Sequence, residues 1–258
     1  MKTVPLRYNR GVVVKEIQAK SILSKSEIYD YAVNAYVGCQ HNCRYCYARF
    51  MKRFSGHSEP WGSFVDVKVN APELLAREVL RKTRGRVWIS GVCDAYQDLE
   101  ARYELTRRCL EILVDHGWPV TVQTKSPLVL RDIEILKRAA DAEVGFTITT
   151  ADEHVRGIFE PGAPPIAKRV EALGVLHAAG IPTFVMVAPL LPGAEGLAGL
   201  LRGKVDRALL DRYNYHYADR TYQEHGMQWA MRDDFFEVKG GELAAAFERV
   251  GIPCRRLY

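Results

Sequence analysis

From residue 31 onward, short β-rich runs alternate with longer stretches whose apolar residues recur every three or four positions, and this alternation constrains the fold most. The β-rich runs are YAVNAYV from Tyr31, RVWISGV from Arg86, PVTVQTK from Pro119, EVGFTIT from Glu143 and TFVMVAPLL from Thr183, with a sixth in RALLDRYNY from Arg207. Between them lie PELLAREVLRKT, LEARYELTRRCLEILVDHG, LVLRDIEILKRAADA and IAKRVEALGVLHAAG. In the second of these, Leu105, Cys109, Ile112 and Leu113 form one apolar stripe. Gly117 and Gly180 follow helical runs directly, where a left-handed cap calls for glycine.

Strands and helices in alternation imply an α/β fold with a parallel sheet and crossover helices. A partial (β/α)6, TIM-like barrel fits the number of repeats best, with a doubly wound open sheet as the rival. Both architectures place their chemistry at the carboxyl ends of the strands. The expected organisation is an extended lead-in over 1–30, a core over 31–218, and a C-terminal extension over 219–258 that packs on it. A short helix is expected within 194–207 and a last one in ELAAAFERVG.

The chain has 258 residues, and no apolar run approaches the ~20 residues of a membrane helix. The opening MKTVPLRYNRG lacks a secretory leader's apolar stretch, so a cytoplasmic protein is expected. Six cysteines in a reducing compartment point to metal or catalysis before disulfides. The formal net charge of +5 is compatible with an anionic substrate without establishing nucleic-acid binding. Basic groups such as Arg49, Lys52 and Arg53 read equally as a solvated face.

Three of the six cysteines crowd into VGCQHNCRYCYARF, as Cys39, Cys43 and Cys46 with C-x3-C-x2-C spacing after a strand. Three thiolates hold three irons of a [4Fe–4S] cluster and leave the fourth iron open to a cofactor or substrate. Gly38 lets the loop come close to such a core, because no Cβ stands in the way. The competing reading is a zinc knot with His41 or a distant side chain as fourth ligand, in a nucleic-acid-binding module without catalysis. Against it, His41 lies between two of the cysteines and no second cysteine pair follows.

With an aromatic residue just before the last cysteine, this loop resembles that of the radical SAM superfamily. The string CRYCYA, with Tyr45 and Tyr47 bracketing Cys46, is similar to the spore photoproduct lyase-like branch, often labelled DNA repair photolyase. SGVCDAYQDLE, TKSPLVLRD, FTITTADE, FEPGAPP and VMVAPLLPG follow in the expected order, so the resemblance runs over roughly residues 30–195. It implies a partial barrel of the radical SAM type, with S-adenosylmethionine chelating the open iron of a [4Fe–4S] cluster. It also implies a reductant such as flavodoxin or ferredoxin, a 5′-deoxyadenosyl radical, and hydrogen abstraction from a substrate. A nucleic-acid or nucleoside photoproduct is the substrate the branch suggests; a small molecule or peptide is the alternative.

Site residues follow from strand ends and from the resemblance. Ser90 and Asp94 close the second strand, where relatives contact the methionyl part of S-adenosylmethionine, and a plain helix cap also explains Asp94. The family implies that Lys125 pairs with the cofactor carboxylate and that Thr147 contacts the cofactor; β-propensity alone also accounts for threonine there. The resemblance further places Tyr45 against the cofactor and gives Tyr45 and Tyr47 a part in radical transfer; packing alone equally explains a tyrosine in this loop. Cys93 is a candidate hydrogen donor. Aligned on the shared aspartate, however, the family's donor cysteine falls about two positions earlier, near Gly91, which would put Cys93 in a cofactor-contacting slot. An inert buried thiol is the competing reading. Glu160 and Arg169 read as an ion pair bracing the cofactor loop, or equally as a helix cap and a surface arginine. YNYHYAD over 213–219 reads as a strand with one aromatic face, packed as core or presented as a platform for stacking bases, with Asn214 and His216 as candidate active-site lining.

Overall fold

The computed structural model describes residues 6–8 and 11–258. Contacts divide the chain into two units: one runs to Asn42 and takes in Ala48–Glu143, the other comprises Cys43–Tyr47 and Val144–Tyr258. The strands in chain order are β1 (Leu6–Tyr8), β2 (Val12–Ile17), β3 (Leu23–Lys25), β4 (Tyr31–Val33), β5 (Tyr36–Val37), β6 (Phe64–Lys68), β7 (Val87–Ile89) and β8 (Val120–Thr124) in the first unit. The second unit carries most of β9 (Ala142–Thr147), then β10 (Thr183–Val187), β11 (Arg207–Leu210) and β12 (Cys254–Arg256).

In the first unit, β3 runs antiparallel to β4, and β4, β7 and β8 pair in parallel, with Val33 opposite Ile89 and Ile89 opposite Val122. A separate sheet orders β1-β2-β6-β5, with β2 and β6 parallel. In the second unit β9, β10, β11 and β12 form a parallel run. Val120, Val122, Val144, Phe146, Val185 and Val187 are all buried to completion, as expected of parallel strands covered on both faces. Gly145 on β9 has a packing reason: a Cβ there would lie 2.1 Å from the Phe184 ring of β10.

The expected helices form over Ala71–Glu78, Leu105–Asp115, Ile133–Arg138 and Ile166–Ala178, and Leu105, Cys109 and Leu113 bury their stripe. Gly117 and Gly180 take positive φ at the caps. None of the described helices is long and apolar enough to cross a membrane.

Three expectations need correction. YAVNAYV is two strands in two different sheets, β4 and β5, separated at Asn34 and Ala35. The helix expected over LEARYELTRRCLEILVDHG breaks at Glu104, whose φ is +50°. The break has a cause in Glu100, whose buried carboxylate accepts the amides of Thr106 (3.0 Å) and Arg107 (3.1 Å) and so caps a fresh helix start. The sixth strand expected in RALLDRYNY does form, over Arg207–Leu210. YNYHYAD is a turn rather than a strand: Tyr213 is buried, whereas Tyr215 and Tyr217 are 59% and 42% exposed. The Tyr213 hydroxyl donates to Asp219 (2.9 Å) and accepts the Ala218 amide, which curls this segment.

Candidate active site

The cysteine loop leaves β5 at Gly38, with φ at +91°. A Cβ at that position would lie 2.3 Å from the Phe64 carbonyl oxygen on β6, so both backbone conformation and space demand glycine. Two glutamines hold the next residues. Gln97, without solvent exposure, donates to the Gly38 carbonyl (3.2 Å) and accepts the Gln40 amide (3.0 Å), while the Gln40 side chain accepts the Leu99 amide (2.9 Å). Turn hydrogen bonds run from the Asn42 amide to the Cys39 carbonyl and from the Cys46 amide to the Cys43 carbonyl. Cys39 and Cys43 are buried and Cys46 is partly exposed.

Downstream, the Arg44 amide donates to the Phe159 carbonyl at 2.7 Å. The Tyr45 hydroxyl donates to Glu160, which also accepts the Thr149 hydroxyl (3.1 Å) and pairs with Arg169. The Arg169 guanidinium reaches the carbonyls of Pro164 and Thr147 as well. Burial pushes the Tyr45 phenol well above its usual range, and the neighbouring Glu160 charge adds to that. Tyr47 is more exposed and stacks on Tyr215, with ring centroids 5.6 Å apart and planes inclined by 30°.

Asp94 organises the end of β7 and β8. Its two oxygens take the Tyr96 amide (2.9 Å), the Thr124 hydroxyl (2.6 Å), the Lys125 amide (2.7 Å) and His41 Nδ1 (3.3 Å). Burial would raise this carboxyl, but the His41 ring and the donated hydrogen bonds outweigh burial and hold it well below the usual carboxylate range. Four donors match the lone-pair capacity of a carboxylate. Lys125 follows directly, so Asp94 fixes the backbone from which the Lys125 side chain departs.

Asn34, the residue that separates β4 from β5, carries the other half of this end. Its Oδ1 accepts the Ser90 hydroxyl (2.6 Å) and the amides of Gly91 (2.9 Å) and Val92 (3.0 Å). Its backbone carbonyl accepts Lys68 Nζ at 2.8 Å. Cys93 Sγ lies 3.1 Å from Ser90 Oγ and donates to the Tyr36 carbonyl at 3.5 Å. Burial pushes the Cys93 thiol up to about 12, the Asp94 charge adding to the shift while Ser90 and Lys68 oppose it. Thr147, at the end of β9, is buried. Sequence reasoning missed Asn34, Gln40, Gln97 and Lys68; only the polar interruption of an apolar run, at Asn34, was a visible signal.

The donor set suits an iron–sulfur core. Soft thiols gathered on one loop are the donor type that iron–sulfur clusters take, and Gly38, immediately before the first of them, lets that loop pack against the backbone of β6. Among the described residues, no three His, Cys, Asp or Glu side chains gather tightly enough for a single metal ion. Ligands to separate irons of one cluster stand farther apart than ligands to one ion.

Comparison with known proteins bears on this geometry. A family model described as the Radical SAM superfamily matches residues 33–195. An uncharacterized protein of Methanocaldococcus jannaschii is 36% identical over 186 residues, which is 71% of this chain and 70% of that protein. The Radical SAM Nalpha-GlyT isomerase of Pseudomonas phage M6 is 25% identical over 157 residues, 60% of this chain and 32% of its own length. Among solved structures, spore photoproduct lyase complexed with dinucleoside spore photoproduct superposes with a TM-score of 0.68 at 16% identity, covering 95% of this chain and 82% of that one. Streptococcus suis SuiB bound to its precursor peptide SuiA gives 0.59 at 14% identity, covering 88% and 48%. These two likenesses concern the fold, and they agree with the expected radical SAM-type α/β class.

Proposed function

Because this chain belongs to the Radical SAM superfamily, we propose that it reductively cleaves S-adenosylmethionine at a [4Fe–4S] cluster held by Cys39, Cys43 and Cys46, and abstracts hydrogen from a nucleic-acid or nucleoside substrate. The superfamily's cofactors are that cluster and S-adenosylmethionine. When bound, they supply one-electron cleavage of the sulfonium C–S bond to methionine and a 5′-deoxyadenosyl radical. The single observation that carries the reading is a three-thiol loop entered through a glycine that tolerates no side chain.

The chain's own residues then have distinct tasks. Lys125 pairs with the cofactor carboxylate, and Asp94 sets the backbone from which it reaches. Ser90 and Thr147 line the cofactor, and Tyr45 is braced against it by Glu160. Cys93 keeps its S–H at neutral pH, which is the form able to give a hydrogen atom to a product radical. A neutral thiol fits hydrogen-atom donation better than nucleophilic chemistry.

A base-bearing substrate is favoured by the tyrosines that follow the last ligand and the end of β11. Tyr47 stacks with Tyr215, and Tyr217 is exposed two residues on. Exposed aromatic faces bind unpaired bases by stacking, worth about 1–3 kcal/mol per base. A peptide substrate is the second reading, since SuiB, with its precursor peptide bound, shares the fold. The reaction is placed in the cytoplasm, with a flavodoxin or ferredoxin as electron source.

Anaerobic reconstitution tests the proposal. About four irons per chain and 5′-deoxyadenosine formed on reduction are the expected results; colourless protein holding one zinc, with no cleavage of S-adenosylmethionine, would reject it. Deuterium transfer from labelled spore photoproduct DNA into 5′-deoxyadenosine tests the substrate, and absence of transfer ends the repair reading while leaving the chemistry intact.

A further inference from the structure

His41 lies between Cys39 and Cys43 in the cysteine loop, and its side chain is 2% exposed. One ring nitrogen, Nδ1, meets Asp94 Oδ2 at 3.3 Å. The other, Nε2, is buried and has no hydrogen-bond partner. Buried polar atoms are rarely left in that condition, because a lost water bond is replaced by nothing. Rotation of the ring offers no escape: Asp94 is itself locked by Tyr96, Thr124 and Lys125, so the carboxylate fixes the imidazole plane and direction.

The missing partner must come from outside the described chain, and the loop that carries His41 is the cluster loop. A core of inorganic sulfides wrapped by three thiolates is a dense, anionic hydrogen-bond acceptor. An imidazole with a carboxylate beside Nδ1 and sulfur beside Nε2 has an acceptor facing each ring nitrogen. We infer that His41 donates its Nε2–H to a sulfur of the cluster or of its thiolates and thereby raises the cluster's reduction potential, with Asp94 positioning the ring. Hydrogen bonds to sulfur favour the reduced, more negative state and are among the determinants of cluster potential. The inference rests on the cluster reading above.

The test uses the full chain, reconstituted anaerobically, as wild type, His41→Leu and His41→Gln, and as wild type labelled with 15N-histidine. Iron and sulfide content are measured alongside potentiometry followed by electron paramagnetic resonance. In His41→Leu the iron content should be unchanged and the reduction equilibrium should move about tenfold toward the oxidised cluster, about 59 mV for a one-electron couple. His41→Gln, whose amide keeps a donor, should recover part of the shift. Labelled wild type should show a weak 15N coupling to the reduced cluster that is lost in His41→Leu. A fully loaded His41→Leu with unchanged potential overturns the inference, as does the strong coupling of a coordinated imidazole. If His41→Leu cannot hold iron, the wild-type 15N coupling decides, and its absence overturns the inference. Wild type that takes up no iron overturns the cluster reading, and this inference with it.

Discussion

Arg169 Nη1 lies 2.5 Å from Glu160 Oε2, and neither side chain is exposed to solvent. Glu160 also receives the hydroxyls of Tyr45 and Thr149, so one buried ion pair supports the tyrosine beside Cys46. Removing one partner leaves the other charge buried alone. Arg169→Met or Glu160→Leu should therefore destabilise the protein by about 3–5 kcal/mol, read from denaturant unfolding. The double replacement should cost less than the sum of the two, because no unpaired charge remains.

Cys43→Ala removes one of three thiolates. Reconstituted variant protein should lose most of its iron and its visible absorbance, with far-ultraviolet circular dichroism unchanged. Iron content equal to wild type would take Cys43 out of the ligand set.

Gly38→Ala tests the loop entrance. At φ +91° a side chain is strained, and the new Cβ would collide with a backbone carbonyl that cannot swing aside. Iron uptake should fall and stability should drop by about 1–3 kcal/mol. A variant that loads and unfolds like wild type would show that the loop tolerates a different path.

Lys125→Ala should weaken S-adenosylmethionine binding about tenfold, equivalent to about 1.4 kcal/mol, while the cluster is retained. Equilibrium binding to the reconstituted protein measures this, and unchanged affinity would remove Lys125 from the site.

Cys93 gives a prediction in pH. Its thiol is raised from an ordinary 9.0 to about 12, so at pH 8 the reactive thiolate is about a thousandfold scarcer than for a free cysteine. Because the folded-state value is raised, alkylation should stay slow through neutral pH and accelerate only as pH climbs toward 12. Mass spectrometry of timed alkylation checks this. In turnover, Cys93→Ala should change the product distribution if the thiol quenches a product radical.

The strand and helix alternation was legible because parallel strands buried on both faces are rich in apolar residues, as in the unbroken run Phe184–Val187. The gathering of Cys39, Cys43 and Cys46 on one loop was legible because their spacing is local. What escaped was set by single side chains bonding across long sequence separations. Asn34 divides what reads as one strand, and Glu100 restarts a helix with its carboxylate; neither leaves a periodic trace. The buried pair of Glu160 and Arg169 could be anticipated, whereas the clasp of Gln40 and Gln97 could not, since a glutamine's partner is not encoded in its neighbours. The turn at Tyr213–Tyr217 imitates a strand because alternating aromatic and polar residues satisfy either geometry until Asp219 selects one.

Asn34 also limits what can be transplanted. One amide oxygen gathers three donors from the segment after β7, although the residue stands outside the cysteine string and bears none of the chemistry. A graft that moved only residues 38–47 into another scaffold would carry the three cysteines without the clamp that shapes the segment after β7. The portable module is the longer stretch beginning at Tyr31, together with its receiving partner at Ser90–Val92.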